Sequence, residues 1–387
     1  TGLTEFVPPE LFAGITSTNY TAGAMSGIFE NSNMATSCPS GYAQITTGFE
    51  VDWGTKDGKK AVSCIKFDPE FTVTTTKLAA SATFDFKIAP QGTYYINWGD
   101  GKAEKIVKTD TVATTYSHKY TNAGTYTIGI MGQAEKYDTS VKNAAISFEG
   151  KTNIAGIGGS LGAIFGTLTN GNTPKQPSFY ASFYKCSNLK GEIPADLFKG
   201  ISGQPRDYMF YRLFRGCSGL TGEIPANLFA GLKGEPRAYM FADTFAKLSG
   251  GTPMGFTGTI PANLFAGISG TPADHMFYNT FYGCEKLTGT IPENLFSGIS
   301  GAPANLMMSC TFEECKGLDG FVPPELFAGI KNTNYATGPM TDVFLNSGLD
   351  TTCPAGYSLY KTGFESDFDG KVSCIDFEPE FTMTTTS

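Results

Sequence analysis

The sequence predicts a multi-domain chain in which an α/β solenoid of short repeats adjoins a small all-β sandwich through a disulfide-bridged segment, the whole recurring about every 310 residues. Three patterns carry this prediction. First, FVPPELFAGI at residues 6–15 returns unchanged at 321–330. The match continues at an offset of 315: Asn19 and Tyr20 fall on Asn334 and Tyr335, Met25 on Met340 and Cys38 on Cys353. CPSGY at 38–42 returns as CPAGY at 353–357, and TGFE at 47–50 as TGFE at 362–365. Five residues are then missing before 60–76 returns as 371–386. The 387 residues are thus one unit plus a 77-residue overlap, a redundancy typical of fibres and stalks and rare in enzymes. Second, a shorter period runs from Ser178 to Pro339. Third, residues 67–131 alternate apolar and polar in short runs bounded by turn residues.

Composition narrows the function classes. A net charge of −8 argues against nucleic acid and against an anionic membrane as partner. No run of 18 apolar residues exists, so no membrane-spanning segment is expected. The chain begins without Met or a leader, which with the overlap suggests a piece cut from a longer polypeptide.

In order along the chain, residues 1–37 read as the last solenoid repeat of a preceding unit. Residues 38–66 form a Cys-bridged segment, repeated at 341–376. Cys38 with Cys64, and Cys353 with Cys374, are expected as disulfides, two buried thiols being the alternative. Zinc is disfavoured because no His or further Cys lies nearby. Disulfides imply an oxidising, extracellular or cell-surface setting.

Residues 67–140 are the sandwich, with strands expected at 72–76, 82–88, 93–98 and 125–130 and a tight turn at Trp98-Gly99-Asp100-Gly101. YYINWGDG at 94–101 followed by HKYTNAGTYTIGI at 118–130 resembles the PKD-like, immunoglobulin-type family. That resemblance implies an extracellular spacer, here with a short interval between the two motifs.

Residues 141–340 are the solenoid. Met209, Met240, Met276 and Met307 open successive copies at spacings of 31, 36 and 31, the longer one reflecting an insertion near 250–256. Each copy holds more apolar side chains than it can bury alone, so equivalent units should stack into one core. A strand is expected at 220–224, a helix starting at Pro225 and stopping at Gly231, and a second helix over 208–215. The pattern L-x-G-x-I-P-x-x-L-F resembles leucine-rich repeats, most closely the bacterial surface-protein variety, over about 143–339 and 1–24. Cys186, Cys217, Leu248, Cys284 and Cys315 occupy its ladder position and are expected as buried, unbridged side chains. The glycine-rich stretch at 143–166 is expected to be a degenerate capping repeat, because a solenoid needs its end covered, no Gly-Lys-Ser/Thr follows its glycines and they do not match G-x-G-x-x-G.

Residues 377–387 match the first sandwich strand of a following unit. Phe381, Thr382, Met383, Thr384, Thr385 and Thr386 are therefore expected as an assembly strand that adds to another sheet.

Little suggests chemistry. The two histidines read as a structural hydrogen bond (His118) and a packing position shared with Tyr208, Tyr239 and Leu306 (His275). Glu192, Glu223, Glu293 and Glu325 are scattered, with Thr259 and Thr290 replacing them in other copies, which reads as a solvated face. No catalytic residue and no cofactor are expected. A calcium loop at Asp367-Phe368-Asp369-Gly370 or Asp57-Gly58 is the minor alternative to an Asp-Gly turn. Arg206, Arg212, Arg215 and Arg237 form either a small basic patch or a solvated face. Tyr208, Tyr211, Tyr239, Tyr278 and Tyr282 either face outward, suited to protein or glycan contact, or belong to the core. The function expected is the structural repeating unit of a bacterial extracellular filament or giant surface fibre, partnered by copies of itself. The alternative is an adhesin stalk whose solenoid face binds a host protein or glycan.

Overall fold

The structure, a computed structural model, describes residues 5–12, 15, 22–169, 175–331 and 338–376. The strand expected over 381–386 lies outside the described residues. From the N-terminus, β1 (Tyr42–Ile45) and β4 (Ser63–Lys66) pair antiparallel, with a small ribbon of β2 (Thr55–Lys56) and β3 (Lys59–Lys60) between them. There follow β5 (Phe71–Thr75), β6 (Thr83–Ile88), β7 (Gln91–Asn97), β8 (Lys102–Lys108), β9 (Thr114–Lys119), β10 (Thr127–Lys136), β11 (Ile146–Ser147) and β12 (Ile154–Gly159). One sheet runs β12-β5-β10-β7-β8-β1-β4 and a second β11-β6-β9.

Alternation decides which faces are buried. Phe71 and Val73 on β5, Phe84, Phe86 and Ile88 on β6, and Tyr94 and Ile96 on β7 all point into one core. The Trp98–Gly101 turn between β7 and β8 is held from β9. The His118 Nε2 lies 2.8 Å from the Asp100 carboxylate, its ring stacks on Trp98, and the Tyr120 hydroxyl donates to the Trp98 carbonyl at 2.7 Å. The two motifs singled out in the sequence are thus one locked corner.

A four-residue helix α1 (Leu161–Ile164), capped by Ser160 Oγ, leads into the repeats. These carry only short parallel strands, β13 (Lys190–Gly191), β14 (Gly219–Gly222) and β15 (Gly255–Phe256). A second antiparallel hairpin, β16 (Tyr357–Tyr360) with β17 (Ser373–Asp376), follows them.

The expected α/β leucine-rich-repeat-like solenoid is overturned. Strands dominate the regular structure, no closed solenoid forms, and α1 is the one α-helix among the described residues. The segment read as a helix over 208–215 fails for a specific reason. Tyr211, Leu213, Arg215 and Cys217 donate their amides three residues back, to Tyr208, Phe210, Arg212 and Phe214. Phe210, Arg212, Phe214 and Gly216 donate instead to Met240, Ala242, Thr244 and Ala246 in the next repeat, at 2.9–3.0 Å. Half of the amides therefore serve the neighbouring repeat, and a helix, which needs them all internally, cannot form. Tyr208 and Arg212 take left-handed φ of 57° and 56°, as do Tyr239 and Asp243, and His275 and Asn279, in the following layers. Gly231 does not cap a helix either. A Cβ there would overlap the Ile201 carbonyl oxygen, and Gly267, Gly298 and Gly329 repeat that close approach.

The repeats stack in register. Phe179, Phe210, Phe241 and Phe277 form one column of near-parallel rings with centroids 5.7–5.9 Å apart. Phe183, Phe214, Phe245, Phe281, Phe312 and Phe344 form another. Each ring is fully buried, so the columns carry continuous apolar contact from layer to layer.

Candidate assembly surface

The long repeat appears twice in space, and the two copies share their bonding residue by residue. The structure joins Cys38 to Cys64 and Cys353 to Cys374. In the first copy the Val7 amide donates to Val62 and the Ser63 hydroxyl to the Val7 carbonyl; in the second, Val322 donates to Val372 and Ser373 to Val322. Val62 donates to Ala35 and Val372 to Asp350, the acceptors 315 apart and the donors 310 apart because of the five missing residues. The Phe6–Tyr42 ring contact at 5.3 Å recurs as Phe321–Tyr357 at 5.4 Å. Each disulfide thus staples a hairpin whose second strand lies parallel to the Val-Pro segment of the repeat before it.

Asp52 and Asp367 are equivalent and buried. Asp52 accepts from the amides of Gly23 and Met25, and Asp367 from the amide of Met340. Their carboxylates fix the turn that starts each segment, a role sequence reasoning missed when it weighed Asp367 as a calcium ligand. Among the described residues no group of three or more His, Cys, Asp or Glu is placed to hold a metal ion. Glu50 and Glu365 likewise accept from the hydroxyls of Thr47 and Thr362 at the entry to a 3-10 turn.

The copies differ in their surroundings. β1 lies parallel to β8, with Gln44 opposite Lys102 and Ile45 opposite Ala103, so the first hairpin extends the sheet. Lys105 on β8 pairs with Glu10 at 2.9 Å, and that contact holds the Lys105 amine above its usual range. Ala43 and Ile45 are 2% and 3% exposed. Their equivalents on β16 are Ser358, exposed, and Tyr360, half-buried. Leu359 is 60% exposed, and among the described residues β16 pairs with β17 alone. Glu325, the equivalent of Glu10, is exposed and has no ion pair among the described residues. The first copy encloses a core of its own, Val7, Phe12, Met34, Phe49, Trp53 and Ala61. The second shares the core of the repeats, through Phe327, Phe344, Phe364 and Phe368.

The other sequence-derived positions are placed as follows. Cys186, Cys217, Cys284 and Cys315 are buried and unbridged, their thiols donating to the carbonyls of Phe148, Phe183, Phe245 and Phe281. Burial pushes the Cys217, Cys284 and Cys315 thiols up. Leu248 departs from the buried ladder expected: it is half-buried over Gly216, and the insertion sends Met254 into the core instead. The cause is the extra backbone between Leu248 and Ile260, which lets the chain bulge at that layer.

The tyrosines sit at the margin of the core. Tyr208 stacks on Tyr239 with centroids 4.6 Å apart, and Tyr239 on His275 at 4.3 Å, all three half-exposed. Three of the arginines are engaged. Arg206 donates to the carbonyls of Asp138, Thr139 and Gln176, while Arg212 and Arg215 converge on the buried Asp243, which also accepts from Asn279. Burial beside this cluster pushes Tyr211 up to about 12. Glu192, Glu223, Thr259 and Thr290 are exposed along one face.

Sequence reasoning missed β8 and the docking of the hairpin on it. The Trp98–Gly101 turn was the available signal, because a tight turn after one strand calls for a second. No helix of the described residues is long and apolar enough to cross a membrane. No protein-family model, no curated protein and no solved structure matches the chain.

Proposed function

We propose that this chain is the structural repeating unit of a bacterial extracellular filament or giant cell-surface fibre, carried by an architectural rather than a catalytic role. The observation that carries this reading is that two segments 315 residues apart rebuild the same disulfide hairpin on the same Val-Pro strand, down to individual hydrogen bonds. A sequence repeated at that length and kept to that detail is suited to end-to-end propagation. The two disulfides support an oxidising, extracellular location. The buried thiols, engaged arginines and capping aspartates are all used in holding structure.

The test is the denatured, reduced mass of the native polypeptide, together with electron microscopy of native material. Filaments, with a mass of several times 41.3 kDa or of one unit assembled non-covalently, support the proposal. Dispersed monomers of this length alone would sink it. An adhesin stalk is the second reading, favoured by the half-exposed Tyr208, Tyr239 and His275 stack. Saturable binding of a host glycan or protein, lost in Tyr208→Ala with Tyr239→Ala, would favour it.

A further inference from the structure

The two hairpins offer a direct comparison of the same surface covered and uncovered. On the first, the backbone edge of β1 is paired by β8, and the side chains of Ala43 and Ile45 are shielded. On the second, the matching edge of β16 carries no sheet partner among the described residues, with Leu359 and Ile375 60% and 41% exposed. The surrounding residues repeat as well. Pro324, Glu325 and Phe327 stand where Pro9, Glu10 and Phe12 line the cleft beside Lys105 and Val107 of the docked strand. An unpaired strand edge is a template for another strand, and here the template has a known occupant one repeat earlier.

We propose that the β16 edge is the docking site for strand 102–108 of a second copy of this unit. The strand lies parallel to β16, with Lys102 opposite Leu359 and Ala103 opposite Tyr360. The second copy's Lys105 pairs with Glu325, as Lys105 pairs with Glu10 within the chain. This inference rests on the filament reading and specifies its joint: each hairpin extends the sheet of the unit that follows, so successive units are linked through a shared sheet. It holds whether the following unit is joined by peptide bonds or not.

In this chain β8 is already occupied by β1, so among the described residues the acceptor edge is open while the donor strand β8 is not. Removing residues 1–66 frees β8. The remainder keeps its core, because the residues buried around Val7 and Trp53 form a cluster separate from the one that spans 71–368. In a Cys310→Ser background, which removes the half-buried free cysteine and leaves the four buried ones, the full chain carrying Leu359→Cys is mixed with the 67–387 chain carrying Lys102→Cys and oxidised. The expected product is a disulfide-linked heterodimer, with no such product when Val107→Cys replaces Lys102→Cys. The 67–387 chain alone should form a concentration-dependent head-to-tail series in sedimentation velocity, which added full chain shortens by capping it. Lys105→Glu should weaken the heterodimer about threefold, and Glu325→Lys on the partner should restore it.

A 67–387 chain that keeps a folded near-UV circular dichroism spectrum yet stays monomeric would overturn the proposal. So would cross-linking that ignores the position of the cysteine. The two readings fail separately: dispersed native monomers sink the filament, whereas native filaments without the Leu359–Lys102 cross-link sink only this joint.

Discussion

The first and second copies of the Cys-bridged segment share sequence, disulfide and local hydrogen bonds, yet they sit in different cores. The first closes over six buried residues of its own and leans on the edge of a sheet. The second is continuous with a column of phenylalanines reaching back through every layer of repeats. The difference teaches that the hairpin's shape is set by short-range bonds, whereas its stability is set by what is stacked behind it. Small isolated cores are marginal and depend on staples, and large continuous ones do not.

The sharpest way to break this comparison is to empty each core at equivalent positions. Trp53→Ala and Phe368→Ala should each cost about 3–5 kcal/mol. By calorimetry the first should appear as an early, separate transition of the N-terminal segment. The second should lower the main transition. Identical single transitions for both variants would show that the two cores are coupled after all.

Next in size are the disulfides. Replacing Cys38 and Cys64 with Ser, or Cys353 and Cys374 with Ser, removes a loop constraint of about 3 kcal/mol in either case. Amide exchange should show the first hairpin open under native conditions and the second still protected. Equal protection would contradict the dependence on the stack.

Asp52→Ala strips the amides of Gly23 and Met25 of a buried carboxylate acceptor, and Asp367→Ala strips the buried amide of Met340, for about 1–3 kcal/mol at most. Calcium titration of the unaltered protein, followed by thermal melting, checks the minor alternative at the same positions, since a bound ion would raise the midpoint with concentration.

The smallest effect belongs to the stack alone. The buried Lys247 amine pairs with Glu314 at 2.6 Å across two layers, which lowers the Glu314 carboxyl below its usual range. A lowered carboxylate adds stability above its unfolded value of about 4.3, and that stability is lost as pH falls through the lower folded value. Glu314→Gln should therefore cost about 1–2 kcal/mol at neutral pH, with the gap to the unaltered protein closing on acidification.

Much of this organisation was legible in the sequence, for reasons that differ by element. Phe71, Val73, Phe84 and Phe86 alternate because a pleated strand presents every second residue to the core, and period two survives in any sequence. Residues 208–215 misled because Phe210, Leu213 and Phe214 lie at helical spacing while the amides of Phe210, Arg212 and Phe214 are claimed by the next repeat, a tertiary choice with no local mark. The buried set there was correct and the backbone carrying it was not. In the candidate surface, the hairpin cysteines could be read from their recurrence with the long repeat. The pairing of Gln44 with Lys102 could not, since it joins segments 58 residues apart with nothing in either to name the other.

The bonds between layers also determine how the molecule would give way under load. They run from each layer to the next, along the axis of stacking, and they recur at equivalent residues from Phe179 to Val343. Tension applied through the chain would peel terminal layers in sequence rather than rupture all of them together. Each freed layer of 31 residues would release about 100 Å of extended chain before the next one bears the force. The hairpins cannot spool out in the same way, because the bonds Cys38–Cys64 and Cys353–Cys374 hold their loops shut. A strand of such units would stretch in steps and dissipate work at each, while every hairpin remained a short inextensible knot along its length.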